Sequence, residues 1–429
     1  MLAAIGVENV AQLFEVVPED LRFPPLNLPA PLSELEMARE LRRLSAQNAD
    51  VLTNSCFLGA GAYHHFIPSA VDSLLRRSEF YTAYTPYQPE IAQGTLQATF
   101  EYQSLMSALL QMDAVNASHY DGATALAEGA IMALNSTRNR RKIVVAPTVH
   151  PQYRAVLRTY TQGLGVTIVG DEKRDATLDE VAALVDDKTV CFIAQSPDFL
   201  GTLHDLKPLA DKVHAAGALF IMATNPIALG LFQTPGQVGA DIAVAEGQPL
   251  GIPLSMGGPY LGIFSCTEKL LRKMPGRLVG ATTDLNGELG YVLTLQTREQ
   301  HIRREKATSN ICTNQGLMAL ASTIYTSLLG KTGLRKVAEI CYHRAHYAAS
   351  EIAKLDGYEI ISNGPFFHEF VVRCPRPVAE LSMALEFASI IGGYDLHKDY
   401  PHLGDAMLVC VTEMNTKEDI DRLVAALNG

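Results

Sequence analysis

Between residues 115 and 266 the chain alternates short apolar runs with amphipathic segments, and this alternation restricts the fold more than any other feature. Short apolar runs bounded by turn residues are typical of strands that are buried on both faces. Apolar residues at helical spacing between the runs predict helices that cover those faces. The predicted strands are 143–146, 166–169, 190–194, 218–222, 242–245 and 261–265, and the predicted helices are 123–134, 152–160, 178–185 and 205–215. The pattern predicts an α/β fold with a mostly parallel sheet.

The flanking segments have a different character. Residues 1–80 predict an N-terminal helical segment, with a helix over 32–47 after a proline-rich entry. Near the other end, a long helix over 334–353 leads to strands at 358–361, 369–373 and 407–411 and to a closing helix from Lys417. We therefore expect a large α/β domain over 81–330 and a smaller C-terminal α+β domain over 331–429, with the boundary near 329–333.

Charge and residue usage exclude several classes of partner. The net charge of −11 does not favour binding to nucleic acid or to anionic membrane surfaces. The most apolar stretch, 217–232, is interrupted by Thr224, Asn225 and Pro226, so we expect no membrane span. Seven cysteines without a CxxC pair predict reduced thiols and a cytoplasmic protein. The adjacent His64 and His65 lack the HxxxH spacing of a zinc site, and we expect no metal.

The segment 241–264, "DIAVAEGQPLGIPLSMGGPYLGIF", reads as a strand, a glycine-rich loop and a second strand. In an α/β enzyme, such a loop at a strand end is where ligands and reactive groups are expected. This loop contains no lysine, histidine or cysteine, and its only charged residues are Asp241 and Glu246. The sequence therefore predicts a loop shaped like part of an active site but without a reactive group.

A second polar segment, "NASHYDGATALAEGA" (116–130), opens a predicted helix. Its candidate anion-binding residues are Asn116, Ser118, Gly122 and Thr124. Free N–H groups and the helix dipole at such a terminus favour a phosphate or a carboxylate. The alternative is a glycine turn with a polar N-cap, and the spacing alone does not choose between them. His119 is a candidate for stacking on a cofactor ring, or a solvated or hydrogen-bonded loop residue.

Two further segments are candidates for binding. The loop "TAYTPYQPEIAQG" (82–94) combines rigid prolines with the polar tips of Tyr84, Tyr87, Gln88, Glu90 and Gln93. The alternative for this loop is a purely structural role. The segment "REQHIRREKATSNICTN" (298–314) carries the main basic cluster, in which Arg303 and Asn310 are candidates for binding an anion. That cluster could equally be a solvated helix face with its own acidic partners.

Several long motifs resemble the glycine decarboxylase P-protein family of the glycine cleavage system, and within it the subunit 1 chains of the two-subunit type. The motifs are "FLGAGAYHHFIPSAV", "YTAYTPYQPEIAQGTLQATFEYQSL", "NASHYDGATALAEGA", "NPIALGLFQTPGQVGADIAVAEGQPLGIPLSMGGPYLG", "GRLVGATTD" and "REQHIRREKATSNICTNQ". The resemblance extends from about residue 5 to the end of the chain. It implies the fold of PLP-dependent transferases (fold type I, similar to aspartate aminotransferase), with a large, mostly parallel α/β domain and a smaller C-terminal α+β domain.

The resemblance also implies a reason for the loop without a reactive group. In the companion subunit 2, a lysine on the corresponding loop forms the Schiff base with pyridoxal 5′-phosphate. Here Gln248 and Pro249 hold that place, and neither supplies a primary amine. The aspartate that pairs with the pyridine nitrogen in this fold is also missing, because Asn225 follows the strand at 218–222. We therefore expect no catalytic residue of this type in the chain and no covalently bound pyridoxal phosphate.

The resemblance implies a division of labour between two chains. Glycine decarboxylase subunit 2 holds pyridoxal phosphate, the two subunits form an α2β2 assembly, and the aminomethyl group of glycine passes to the lipoyl arm of the H-protein. We expect Tyr84, Tyr87, Gln88, Glu90 and Gln93 to line the partner's site, and the loop at 116–124 to be a vestigial phosphate loop. Two alternatives stay open: a scaffold or regulator of subunit 2, and an independent pyridoxal-phosphate lyase or aminotransferase that uses Lys269 or Lys306.

Overall fold

The computed structural model describes residues 1–137, 139–362 and 364–429. By compactness these residues form two units, Met1–Asp50 and Val51–Gly429. The first unit contains helices α1 (Leu2–Ile5) and α2 (Glu34–Ser45). Ser33 begins α2 with a capping box, in which its side chain and that of Glu36 each accept a backbone N–H of the other residue. The helix predicted over 32–47 is thus confirmed, with ends set by this cap.

The centre of the second unit is a seven-stranded sheet. Its strands are β2 (Ala114–Val115), β3 (Lys142–Val145), β4 (Thr167–Val169), β5 (Thr189–Gln195), β6 (Leu219–Thr224), β7 (Ile242–Glu246) and β8 (Gly262–Cys266), in the order β2-β8-β7-β6-β5-β3-β4. Strands β3 to β7 pair in parallel, while β8 runs antiparallel to both β7 and β2. The predicted α/β architecture with a mostly parallel sheet is confirmed, and all six predicted strands are present.

Helices cover both faces of this sheet, as a parallel sheet requires. They include α6 (Gly122–Ser136), α7 (Pro151–Thr161), α8 (Leu178–Ala182), α9 (Lys207–Ala215) and α10 (Pro235–Val238). Strand β7 shows the two-sided burial directly. Ile242 and Val244 pack into the core on one face, and Ala243 and Ala245 pack into the core on the other. The apolar runs of the sequence are continuous rather than alternating because both faces are buried.

The second face is covered by α3 (Ser69–Leu75), α5 (Gln93–Leu110) and α12 (Gly316–Ile352), and the short helix α4 (Ser78–Tyr81) follows α3. Helix α12 begins well before the start predicted at residue 334, so that prediction was wrong. Its regular geometry is interrupted at Gly330, where φ is 57° and ψ is −177°. Gly330 therefore interrupts the helix locally, and helical geometry continues after it to Ile352. The predicted boundary at 329–333 falls at this break, inside the helix.

An antiparallel hairpin that was not predicted follows the central sheet. Strands β9 (Leu278–Thr283) and β10 (Leu289–Thr294) pair over their full length, and the short helix α11 (Gln300–Arg303) comes next. The hairpin turn contains Gly287 at a φ of 83°, a value that glycine adopts without strain. Only three of the twelve strand residues are buried and four are exposed, so no continuous apolar run marks the strands in the sequence.

The C-terminal part contains a four-stranded antiparallel sheet in the order β11-β12-β15-β14. Its strands are β11 (Glu359–Ile360), β12 (Glu369–Arg373), β14 (Tyr394–Asp395) and β15 (Ala406–Cys410), and helices α13 (Val378–Phe387) and α14 (Lys417–Asn428) accompany them. A separate short pair joins β1 (Ser55–Cys56) to β13 (Ile390–Ile391) in parallel. The predicted C-terminal strands and closing helix are confirmed.

The division into 1–80, 81–330 and 331–429 stays a prediction, since the compact units divide the chain at residue 50. Across the described ranges, no helix combines the length and the apolar character that crossing a membrane requires.

Candidate functional site

The carboxyl ends of β5, β6 and β7 converge on one small cavity, at the sheet edge where open α/β folds place their ligands. Its volume is about 30 Å³. A cavity of this size accommodates about one water, whereas pockets for small-molecule ligands measure about 300–1,000 Å³. The polar side chains that line it are Tyr63, His150, Tyr153, Gln195, Asp198, Thr224, Asn225, Glu246, His368 and Glu369. The expected ligand position is therefore nearly filled by the chain itself.

Gln248, on the loop after β7, bonds to the backbone of Tyr63, one of the residues that line this cavity. It is only 1% exposed, and its amide makes three hydrogen bonds with backbone groups. The Oε1 atom accepts from the Tyr63 N–H at 2.8 Å, and Nε2 donates to the carbonyls of Tyr63 at 2.9 Å and Ile252 at 2.8 Å. Pro249 is buried beside it. Gln248 thus joins the segment before α3 to the loop after β7.

Glu246 occupies the N-terminus of α6. Its carboxylate accepts the N–H groups of Gly122 at 2.9 Å, Gln248 at 2.9 Å and Leu261 at 3.1 Å. The N–H groups at a helix start and the helix dipole attract an anion, and here the Glu246 carboxyl accepts the Gly122 N–H that such an anion would use. Burial raises the pKa of Glu246 to about 7, against the opposing effect of the three backbone N–H donors.

The other residues of the 116–124 segment also bond within the chain. Asn116 Nδ2 donates to the Pro275 carbonyl at 2.9 Å, and Ser118 Oγ accepts from the Gln315 N–H at 3.0 Å. Thr124 forms a capping box with Asp121, whose side chain accepts the Thr124 N–H at 2.7 Å. The polar N-cap that the sequence left as an alternative is thus present, and binding of a phosphate by these residues stays a prediction.

His119, from the same segment, lies in the protein interior. Its ring stacks on Phe264 with 4.8 Å between the ring centres, and burial lowers its pKa to about 3. The structure therefore places His119 as a buried neutral ring against the sheet, not as a solvated loop residue.

The tyrosine–proline loop, residues 82–94, lies on the surface. Tyr84 is 84% exposed, and Tyr87, Gln88 and Glu90 are exposed as well. Gln93 fixes the end of the loop to β10, since its amide both donates to the Tyr291 carbonyl and accepts the Tyr291 N–H, each at 2.9 Å. The polar ends of the loop side chains therefore face solvent, while the hydrogen bonds of Gln93 hold the end of the loop in place.

Of the basic segment, Arg303 and Asn310 are both exposed, and Arg303 Nε donates to the Thr297 carbonyl at 3.1 Å. Within this segment Cys312 and Asn314 contact the 116–124 loop instead, and the Cys312 N–H donates to the Tyr120 hydroxyl at 3.3 Å. Asn314 Nδ2 donates to the Ala117 carbonyl at 2.9 Å. Anion binding by Arg303 and Asn310 stays a prediction.

Comparison with known proteins identifies the family. A sequence model of the family described as "Glycine cleavage system P-protein" matches residues 1–427. The chain belongs to this family. It is 56% identical over its full length to a probable glycine dehydrogenase (decarboxylating) subunit 1 from Thermomicrobium roseum, and 52% identical to the protein of that name from Desulfitobacterium hafniense. In both comparisons this chain covers 96% of the relative.

Solved structures agree with this family assignment. The crystal structure of a glycine decarboxylase (P-protein) of the glycine cleavage system, in inhibitor-bound form, superposes with a TM-score of 0.94 at 42% identity, covering all of this chain and 96% of that one. A cysteine desulfurase from Escherichia coli matches with a TM-score of 0.66 at 16% identity over 90% of this chain and 97% of that one. At that identity the likeness shows the fold alone, which is fold type I of the PLP-dependent enzymes.

The residues of this P-protein chain do not fit pyridoxal phosphate at the cavity. Gln248 offers no primary amine, and Asn225, after β6, offers no carboxylate; its Oδ1 accepts the Ile227 N–H at 2.9 Å. Glu246 already occupies the helix N-terminus where a phosphate would bind. Lys269 and Lys306 are exposed and do not line the cavity. The cavity therefore supplies neither a lysine for the Schiff base nor a carboxylate after β6 for the pyridine nitrogen.

The rest of the cavity is a network of buried groups that bond to one another. Tyr63 donates its hydroxyl to Glu369 at 2.8 Å, and the Ala60 N–H also bonds to this carboxyl, at 2.7 Å. Burial raises the pKa of Glu369 to about 7 and lowers that of His150 to about 4. These buried groups line the cavity, and the sequence indicated none of them because their partners lie far away along the chain.

A second buried cluster joins His65 to the C-terminal part of the P-protein chain. His65 Nδ1 lies 2.7 Å from Glu413 Oε2, and the Cys341 thiol donates to the same oxygen at 3.3 Å. The three potential metal ligands lie within 4.8 Å of one another. The Phe66 N–H donates to the other carboxylate oxygen at 2.7 Å, so Glu413 holds the cluster together through hydrogen bonds. The HxxxH criterion does not detect such a cluster, because its members lie far apart in the sequence.

Proposed function

We propose that the chain is subunit 1 of a glycine dehydrogenase (decarboxylating) of the glycine cleavage system. Together with a subunit 2 that holds pyridoxal phosphate, it decarboxylates glycine and transfers the aminomethyl group to the lipoyl arm of the H-protein. The observation that carries the proposal is the filled cavity. Glu246 accepts the Gly122 N–H at the start of α6, where a phosphate would be expected, and the resemblance puts Gln248 where subunit 2 has its lysine, in a chain that otherwise keeps the whole fold. A chain of this kind contributes to catalysis only when it is assembled with a partner subunit that holds the cofactor.

In this proposal the tyrosine–proline loop completes the partner's catalytic cleft. Tyr84, Tyr87, Gln88 and Glu90 are the polar groups that line it, and Gln93 holds the base of the loop. Their exposure in the isolated chain supports this role. A tyrosine buries much surface at low entropic cost and still offers a hydroxyl group, which suits a surface that closes over a small substrate.

The assembly that we propose is an α2β2 heterotetramer in the cytoplasm. The two subunits share a fold, and the pair forms the catalytic unit that the lipoyl arm enters. Seven free thiols fit a reducing compartment. The cofactor is held by subunit 2, and any anion at the 116–124 loop of this chain would have to displace Glu246 from Gly122.

The test is the exchange of the glycine carboxyl group with labelled bicarbonate, in the presence of pyridoxal phosphate and H-protein. We expect no exchange with this chain alone and full exchange when subunit 2 is added. Exchange by the chain alone would contradict the proposal and favour an independent lysine-bound cofactor. If subunit 2 alone exchanges as fast as the mixture, the chain is a scaffold or regulator.

The loop has its own test. Tyr87→Phe and Glu90→Gln should each lower the exchange rate of the mixture and leave assembly intact, as measured by size-exclusion chromatography with light scattering. Unchanged rates in both variants would remove the loop from the catalytic cleft. The matched control is Tyr160→Phe, because Tyr160 is a partly exposed tyrosine on α7, outside the loop.

A further inference from the structure

Arg277 lies where three segments of the chain meet. It is the second residue of the motif "GRLVGATTD", directly before β9, and its side chain is almost entirely buried at 5% exposure. Its Nη1 donates to Asn314 Oδ1 at 3.1 Å, and its Nη2 donates to the Tyr87 hydroxyl at 3.1 Å and the Cys312 carbonyl at 2.7 Å. Its own carbonyl accepts the Ala117 N–H at 2.8 Å. One residue therefore connects the tyrosine–proline loop, the 312–315 segment and the 116–124 segment.

The contact with Tyr87 fixes the ring as well as the hydroxyl. The guanidinium lies 5.4 Å from the centre of the Tyr87 ring, within the range of a cation–π interaction. Gln93 holds the end of the same loop through Tyr291. The loop is thus held at two points, while Tyr84, Gln88 and Glu90 are presented to solvent.

The charge of Arg277 is not balanced by an acid. Within the described part of the chain, no carboxylate oxygen lies within the 4.0 Å of an ion pair, and its three acceptors are neutral. Buried charges usually pair with an opposite charge, because an unpaired one is expensive to desolvate. A planar fork of donors can hold several neutral acceptors in fixed directions, which a lysine cannot do. Arg277 therefore fixes the positions of its three acceptors, although burial of its unpaired charge lowers the stability of the fold.

We propose that Arg277 is a positioning residue for the shared catalytic cleft. It sets the orientation of Tyr87 and couples the tyrosine–proline loop to the 312–315 segment, so that both surfaces meet the partner in one arrangement. The inference rests on the proposed function, because the cleft belongs to the assembled enzyme. Arg277 itself contacts neither substrate nor cofactor, and it acts through Tyr87.

The loop geometry can be measured without any catalysis. The chain contains no tryptophan, so Tyr84→Trp places a single reporter on the most exposed tyrosine of the loop. In this background, Arg277→Met should lower the fluorescence anisotropy and increase quenching by acrylamide, because the loop loses one of its two fixed points. Arg277→Lys should give an intermediate result, since an ammonium group can hold only part of the contacts.

Arg140→Met is the matched control. Arg140 Nη1 also bonds to neutral backbone carbonyls, those of Thr189, Ala216 and Gly217, near the opposite ends of the strands. Its replacement removes a comparable arginine without touching the loop. The reporter signal should therefore stay at the value of the Tyr84→Trp background.

The second measurement uses the enzyme assembled from subunit 2, H-protein and this chain with its native Tyr84. Arg277→Met should lower kcat/KM for exchange by about 10–100-fold, the range expected when a positioning contact is lost. Arg277→Lys should recover part of the loss, and Arg140→Met should stay within about twofold. Should Arg277→Met fail to fold, as judged by circular dichroism, Arg277→Lys carries the test in both measurements.

The outcomes separate the two proposals. Wild-type anisotropy or a wild-type exchange rate in the folded Arg277 variant overturns the positioning role. If Tyr87→Phe still lowers exchange in that case, the proposed function stands and only this inference fails. If Tyr87→Phe and Glu90→Gln also leave exchange unchanged, the role of the loop in the proposed function fails together with it.

Discussion

Replacing Gln248 by leucine tests whether this position now serves structure. The amide makes three hydrogen bonds with the backbone groups of Tyr63 and Ile252, and the site is 1% exposed. Leucine removes all three and leaves one N–H and two carbonyls buried without a partner. Each orphaned group costs about 1–3 kcal/mol, with carbonyls at the lower end. We therefore expect the free energy of unfolding to fall by about 4 kcal/mol.

The assay is urea denaturation followed by circular dichroism, comparing variants with equal slopes. Gln103→Leu is the matched control, because Gln103 is also a buried glutamine but makes only two such bonds, both with Val279 at 2.9 Å. Its loss should be about 2 kcal/mol. A cost below about 1 kcal/mol at Gln248, or one smaller than at Gln103, would refute the reasoning that this amide replaced a catalytic lysine with a structural contact.

Three further predictions concern the same fold. Burial raises the pKa of Glu246 to about 7 from 4.5. The protonated carboxyl therefore stabilises the fold fully below about pH 4.5, and this contribution, about 3 kcal/mol, is lost as the pH rises through about 7. Urea titrations of Glu246→Gln should therefore show a smaller fall in stability from about pH 5 to pH 8 than wild type, and an equal fall would contradict the assignment. Arg154→Met should lower the free energy of unfolding by about 2 kcal/mol, since it removes the buried partner of the Asp171 carboxylate at 2.8 Å while Arg158 and Arg174 still pair with it; a loss below about 1 kcal/mol in urea would count against it. Gln248→Lys should give no absorbance band of lysine-bound pyridoxal phosphate on titration, because Glu246 still occupies the helix N-terminus; a saturable band would mean that the lysine alone was missing.

The sheet was predictable because its strands carry their signal locally. All but the last residue of β5 (Thr189–Gln195) are buried, so the apolar run at 190–194 is complete in the sequence. The hairpin of β9 and β10 was not predictable in this way, because its residues are mixed in polarity and its strands pair mainly with each other. The start of α12 was missed because Gly330 suggests an end where the structure has only a break.

The candidate site was likewise predictable only in part from the sequence. The absence of a lysine at Gln248 is visible in the sequence, and the resemblance gave it a meaning. That Glu246 would occupy the helix N-terminus was not visible, because the carboxylate and Gly122 are 124 residues apart. Arg277 stood in a quoted motif without a role, since its bond to Tyr87 spans 190 residues. Such contacts depend on how the helices and sheets pack against one another, and the hydrophobic periodicity of the sequence does not show this packing.

The central claim is that this chain keeps the fold of a cofactor-dependent enzyme while its own cofactor position is filled. The most direct measurement is the amount of pyridoxal phosphate released by alkali from the purified complex of this chain with subunit 2, together with equilibrium binding to the chain alone. We predict one pyridoxal phosphate per pair of chains and no saturable binding to the isolated chain. Two per pair, or saturable binding to the chain alone, would contradict the account.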